Sequence, residues 1–172
     1  MRSGFVMWCV GLALLFAGAA TAQGWTAYSP DGGRYRVDMP GTPRVETAPI
    51  PVGAGQTVPM TEAAVQTASA RYLASYVDYP ERISRAASAD LMLDKVRNGM
   101  SAGNTLRGEK KLANGRFPGR EFVVVQPGGA NTAARLWWVR GRLYQLTVTG
   151  GAGIESQPDT RRFFESFNLL TP

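Results

Sequence analysis

Histidine is absent from this 172-residue chain, and cysteine occurs once, at Cys9. Without imidazole there is no Ser-His-Asp relay and no imidazole ligand for zinc or haem. Without paired thiols there is no disulfide framework and no thiolate metal site. Carboxylate, hydroxyl, amine and guanidinium chemistry is what remains, so we expect no metal site, no cofactor and no assigned catalytic residue.

Apolar length is scarce as well. The run from Phe5 to Ala20 carries no charge, but it is shorter than the ~20 residues a spanning helix needs. It follows a single basic residue, Arg2, and ends at Ala20-Thr21-Ala22. A basic start, a short apolar centre and a small-x-small exit describe a secretory signal peptide cleaved after residue 22. Cys9 lies within the apolar run and leaves with it. The expectation is therefore a periplasmic or secreted protein whose mature chain, residues 23–172, has the length of one domain.

Charge of one sign is in modest excess. The formal charge is +6, or +5 once Arg2 is removed. The basic residues are scattered, with Lys110-Lys111 and Arg161-Arg162 as the adjacent pairs. No nucleic-acid recognition motif accompanies them, which excludes nucleic acid as the expected partner. An unknown protein or envelope component is left, with membrane contact at most peripheral.

Period-two patterning dominates what is present. Trp25 to Ser29, a turn at Pro30-Asp31-Gly32-Gly33, and Arg34 to Met39 read as strand, turn and strand, with Tyr35, Val37 and Met39 on one face. Two extended strands are expected between Arg44 and Ala70, turning at Gly53-Ala54-Gly55. Pro49, Pro51 and Pro59 place them at edges or bulges, because proline cannot donate a ladder hydrogen bond. Arg71 to Tyr79 is a further strand. Tyr72 and Tyr76 share one face of it, an arrangement that can grip a sugar or peptide or pack under a helix.

Ser88-Ala89-Asp90 opens a helix with Leu91, Met92, Val96 and Met100 as its buried stripe and Gly103 as its stop. Strands follow at Thr105 to Leu112, Arg120 to Gln126, Ala133 to Arg140 and Leu143 to Thr149. A two-residue turn at Gly141-Arg142, of type II′, is expected to join the last two. Trp137, Val139, Tyr144, Leu146 and Val148 then share one face, and Leu136, Trp138, Arg140, Leu143 and Gln145 the other. Both faces are apolar enough to need cover, for which helices are expected. A last helix starts at Pro158-Asp159 and presents Phe163, Phe164 and Phe167.

Five short segments carry a likeness. They are Tyr28-Ser29-Pro30-Asp31-Gly32-Gly33-Arg34-Tyr35, Met39-Pro40-Gly41-Thr42-Pro43, Phe117-Pro118-Gly119-Arg120-Glu121, Arg142-Leu143-Tyr144-Gln145-Leu146 and Arg162-Phe163-Phe164-Glu165-Ser166-Phe167. Together they resemble a group of small secreted bacterial domains of uncharacterised function and, more distantly, the Mog1/PsbP-like fold. The resemblance implies a single α+β domain, an antiparallel sheet with helices on its faces, and an accessory or binding role. It carries over no catalytic residue.

Glu121 is the residue with two readings. On an apolar strand it needs a partner, since a buried unpaired carboxylate costs several kcal/mol or takes up a proton. Arg120 points to the other face, so Arg107, Arg135 or Arg140 on a neighbouring strand would form a structural ion pair. Alternatively, Glu121 is the general acid of a carboxylate-dependent hydrolase of envelope polysaccharide or peptide, with Asp78 or Glu109 as its counterpart. A third reading is a peripheral binder of anionic envelope surfaces. Tyr72, Tyr76, Trp138 and Arg140 are the candidate contact surface. Ser84, Ser88 and Ser101 lie in no nucleophile motif, and the glycine stretches 127–129 and 150–153 lack the lysine of a phosphate cradle.

Overall fold

Two chain meanders meet side by side to build the main sheet. The structure is a computed structural model that describes residues 24–53 and 55–170; the expected signal peptide, 1–22, lies outside them. The first meander is β3 (Arg44–Gly53), β4 (Gln56–Gln66) and β5 (Ala70–Asp78). The second is β6 (Thr105–Asn114), β7 (Phe117–Val125), β8 (Asn131–Val139) and β9 (Arg142–Gly150). β9 pairs with β5, giving a seven-stranded antiparallel sheet ordered β3-β4-β5-β9-β8-β7-β6. Helices α1 (Glu81–Ala86) and α2 (Ala89–Ser101) carry the chain from the centre of the sheet to its far edge.

A second antiparallel sheet of β1 (Thr26–Tyr28), β2 (Tyr35–Met39) and β10 (Asn168–Leu169) lies with α3 (Pro158–Glu165) over one face of the first. The fold is one α+β domain. Among the described residues no helix is long and apolar enough to cross a membrane.

The hairpin faces read from the sequence are those observed, but what covers one of them differs. Tyr35, Val37 and Met39 project from β2 onto Tyr72, Ala74, Trp137, Tyr144, Leu146 and Val148, with Phe163, Phe164 and Phe167 filling the gap. Trp137 stacks on Phe167 at 4.6 Å between ring centres and 15° between planes. Helices were expected on both faces. Here the alternating β2 buries its own apolar edge, so a small sheet supplies most of the cover and α3 the rest. The opposite face meets a helix: Met92 and Leu93 of α2 pack on Phe122, Val124, Ala134, Leu136, Trp138 and Leu143.

Helix α2 begins as expected, with Ser88 Oγ accepting the Leu91 N–H at 3.2 Å. Its buried stripe is rotated from the expected one. Ala89, Met92, Leu93, Val96 and Met100 contribute to the core, while Leu91 is 47% exposed. At 100° per residue these five fall on one arc and Leu91 falls opposite. Helix α1 went unread because it buries no residue and so has no apolar stripe.

The β8–β9 turn is also displaced. Val139 pairs with Arg142, which leaves Arg140 and Gly141 as the turn residues, at φ of 49° and 86°. Two positive φ values belong to type I′, not the expected type II′. Moving a two-residue turn by one position shifts partners by two, an even step, so every side chain that stays in the strands keeps its face; Arg140, expected on the Leu136 face, is instead a turn residue. The prolines lie where ladder donors are not needed. Pro49 and Pro51 are on edge strand β3, and Pro59 precedes Met60, where pairing with β5 begins.

Candidate functional site

Three strands carry Glu121 to its partners. Register places Lys110, Glu121 and Arg135 side by side on β6, β7 and β8. Lys110 Nζ lies 2.6 Å from Glu121 Oε1, and Arg135 Nε donates to Oε2. A bulge in β6 between Arg107 and Lys110, where Gly108 takes φ 63°, makes this possible. If the Arg107–Val123 register continued without it, Glu109 would face Glu121, two like charges across a ladder. The bulge brings Lys110 there instead and turns Glu109 toward α2, where Arg97 Nη1 meets it at 2.5 Å.

Burial pushes the Glu121 pKa up, but the hydrogen bonds from Lys110 and Arg135 outweigh it and the net shift is downward. Glu121 is therefore a held carboxylate, not a proton donor. Arg120, one residue earlier, points the other way and is 3% exposed. It donates to Asp90 at 2.5 Å, to Asp94 at 3.3 Å and to the Gly119 carbonyl at 3.1 Å. Burial alone lowers its pKa, but the two aspartates carry it above the ordinary value. The adjacent Arg and Glu are thus two anchors: one ties α2 to the sheet and the other ties three strands together.

A cleft of about 540 Å³ opens beside Glu121 and is shared by Arg107, Arg161, Glu155 and Glu165. The two counterparts expected for hydrolysis are elsewhere. Glu109 faces α2, and Asp78 is at the end of β5, where Arg142 grips it. Of the two other acids that share the cleft, Glu155 and Glu165, the first accepts from Arg107. Among the described residues no group of three or more acidic, His or Cys side chains could hold a metal ion.

The second site sits at the end of the sheet where the β6–β7 and β8–β9 turns meet the start of β2 and the strand β10. Its fixed point is Arg142, 6% exposed. Nε and Nη2 each reach one oxygen of Asp78 at 2.6 Å, and Nη1 donates to the Gly32 and Gly33 carbonyls at 2.6 and 2.9 Å. Such a bidentate fork fits a planar guanidinium and no other side chain. The cation also lies 4.6 Å over the Tyr76 ring, and the Tyr144 hydroxyl donates to the Gly33 carbonyl at 3.0 Å. Burial alone depresses the Arg142 pKa, yet its bonds to Asp78 and Tyr144 raise it overall.

Beside this anchor is a pocket of about 300 Å³, walled by Phe117, Val139, Leu169 and Leu170 and rimmed by Arg34, Arg116 and Arg140. None of the three rim arginines has an acidic partner within 4.0 Å among the described residues, in contrast to Arg107, Arg120, Arg135 and Arg142. Arg34 and Arg140 are also the non-glycine residues with positive φ among the described ones, at 57° and 49°.

Of the four residues read as a contact surface, Tyr72 and Trp138 are corrected. Tyr72 is 4% exposed and meets Trp25 and Phe163 edge-on, while Trp138 is 6% exposed against Tyr79. Cover on both sheet faces leaves neither ring free. Tyr76 lies half-buried beneath Arg142, and Arg140 stands exposed at the pocket rim. Arg34, Arg116 and Arg142 were not singled out from the sequence, and Asp78 was singled out only as a counterpart of Glu121, not as the partner of Arg142. A signal was there: each of these arginines abuts a glycine turn, as Gly33-Arg34, Gly115-Arg116 and Arg140-Gly141-Arg142.

No family model matches this chain, and no curated protein matches it.

Proposed function

We propose that the mature chain is an exported, non-catalytic binding or accessory module of the cell envelope, periplasmic or secreted, with a Mog1/PsbP-like arrangement of its α+β fold. The observation that carries this reading is Glu121, the one carboxylate singled out for acid chemistry, gripped by Lys110 and Arg135 with its pKa lowered. A general acid needs the opposite shift. The export-type N-terminus and the lack of histidine and cysteine beyond Cys9 support the same reading.

The test is turnover of envelope polysaccharide and peptide by the protein purified after export, beside its Glu121→Gln variant. The expected result is no turnover by either, with a lower melting temperature for the variant. Turnover by the parent that vanishes in a folded Glu121→Gln would overturn the proposal.

A further inference from the structure

We propose that the pocket at the arginine-rich end of the sheet binds a free single-chain carboxylate amphiphile, a medium-chain fatty acid in chemistry. Its head would sit among Arg34, Arg116 and Arg140 and its tail against Phe117, Val139 and Leu169. This rests on the reading of the protein as a binding module and names the ligand class.

The charge arrangement is the first argument. Five charged groups line the pocket, and two of them, Arg142 and Asp78, satisfy each other through two 2.6 Å hydrogen bonds. Three positive charges remain at the rim without an acidic partner among the described residues. A concave surface with one uncompensated sign of charge attracts the opposite sign. Phe117, Val139, Leu169 and Leu170 give it apolar walls, so an inorganic anion would satisfy the rim and leave those walls wet. At about 300 Å³ the pocket is at the small end of ligand cavities, which suits one short chain rather than a two-chain lipid.

The backbone is the second argument. Arg34 and Arg140 both occupy the left-handed region, where glycine is the unstrained choice and a branched or long side chain costs free energy. Their neighbours hold them there: the Leu170 N–H donates to the Arg34 carbonyl at 2.9 Å, and the Tyr79 N–H donates to the Gly141 carbonyl at 2.9 Å. Arg116 is steered by its own neighbour, its guanidinium lying 5.3 Å from the Phe117 ring centre. All three cations are thus set at one mouth by local geometry before any ligand arrives. At two of these positions the fold alone would favour glycine, and arginine is present.

Decanoate, below its micelle-forming concentration, is the probe, titrated by calorimetry and by thermal shift against decanol, inorganic phosphate and phosphatidylglycerol vesicles. We expect saturable one-to-one binding of decanoate that weakens as salt rises, with decanol at least tenfold weaker and phosphate without effect. Arg34→Gly and Arg140→Gly are expected to keep the parent melting temperature and to weaken decanoate at least tenfold each. Equal binding of decanol, undiminished binding in the two glycine variants, or binding to vesicles alone would each overturn the assignment. A flat decanoate titration sinks the ligand class and leaves the module reading to its turnover test. Turnover together with decanoate binding would sink that reading and spare the pocket.

Discussion

Replacing Glu121 with Gln removes one negative charge while keeping the side chain's shape, and the surrounding geometry sets the cost. Arg135, with its side chain 21% exposed, loses a charge-assisted hydrogen bond of the kind worth about 1.5–3 kcal/mol. Lys110, 59% exposed, adds less than about 1 kcal/mol because water screens it. Gln still offers one carbonyl oxygen, so a net loss of about 1–2 kcal/mol is expected, or roughly 2–8 °C in Tm for a domain of this size. The pH dependence follows from the lowered folded pKa. A depressed carboxylate stabilises above its unfolded pKa of about 4.3, and that contribution fades as pH falls through the folded value. Urea unfolding of parent and variant from pH 7 down to pH 3 should show a constant gap down to about pH 5.5 that then closes. A gap that stays constant to pH 3, or widens, would refute the assignment of the stability to the ionised carboxylate.

Two further substitutions probe the frame around the sites. Arg142→Lys cannot reproduce the fork to Asp78 together with two carbonyl contacts, so it should lose about 2–4 kcal/mol in chemical denaturation; a loss under about 0.5 kcal/mol would show that the β1–β2 turn does not depend on it. Gly119→Ala would place a Cβ 2.5 Å from the Leu136 carbonyl oxygen and 2.9 Å from Trp137 Cδ1, and overpacking of that kind should cost about 1–3 kcal/mol in melting experiments, with a neutral result meaning that β7 and β8 part easily.

Strands were legible wherever one face alternated and its neighbour did not. Tyr35, Val37 and Met39 gave β2 its buried face, and the even shift of the β8–β9 turn left the two faces of that hairpin intact. Helix α2 was legible from its cap, but its stripe was placed one arc off because Leu91 and Leu93 are equally apolar and only the packing against Phe122 and Leu136 separates them. The second sheet was not legible as a cover. Its strands are three, five and two residues long, and β10 pairs with β2 across more than a hundred residues, a contact local patterning does not carry.

The site was less legible than the fold for a related reason. Pairing of a charge is a long-range property: Arg120 finds Asp90 and Asp94, and Arg142 finds Asp78, at sequence separations of 30, 26 and 64. Read along the chain, every arginine looked alike and the excess looked scattered. Folding sorts them. The buried ones meet carboxylates and act as fasteners, since an unpaired buried guanidinium could not be tolerated. Arg34, Arg116 and Arg140, at the glycine turns, have no acidic partner within 4.0 Å among the described residues. The β6–β7 and β8–β9 turns fall at the same end of an antiparallel sheet, and the chain enters β2 beside them. Three arginines far apart in the sequence are thereby brought to one pocket without any basic cluster in the chain. Net charge alone could not have placed these three arginines together, whereas turn position and strand order do.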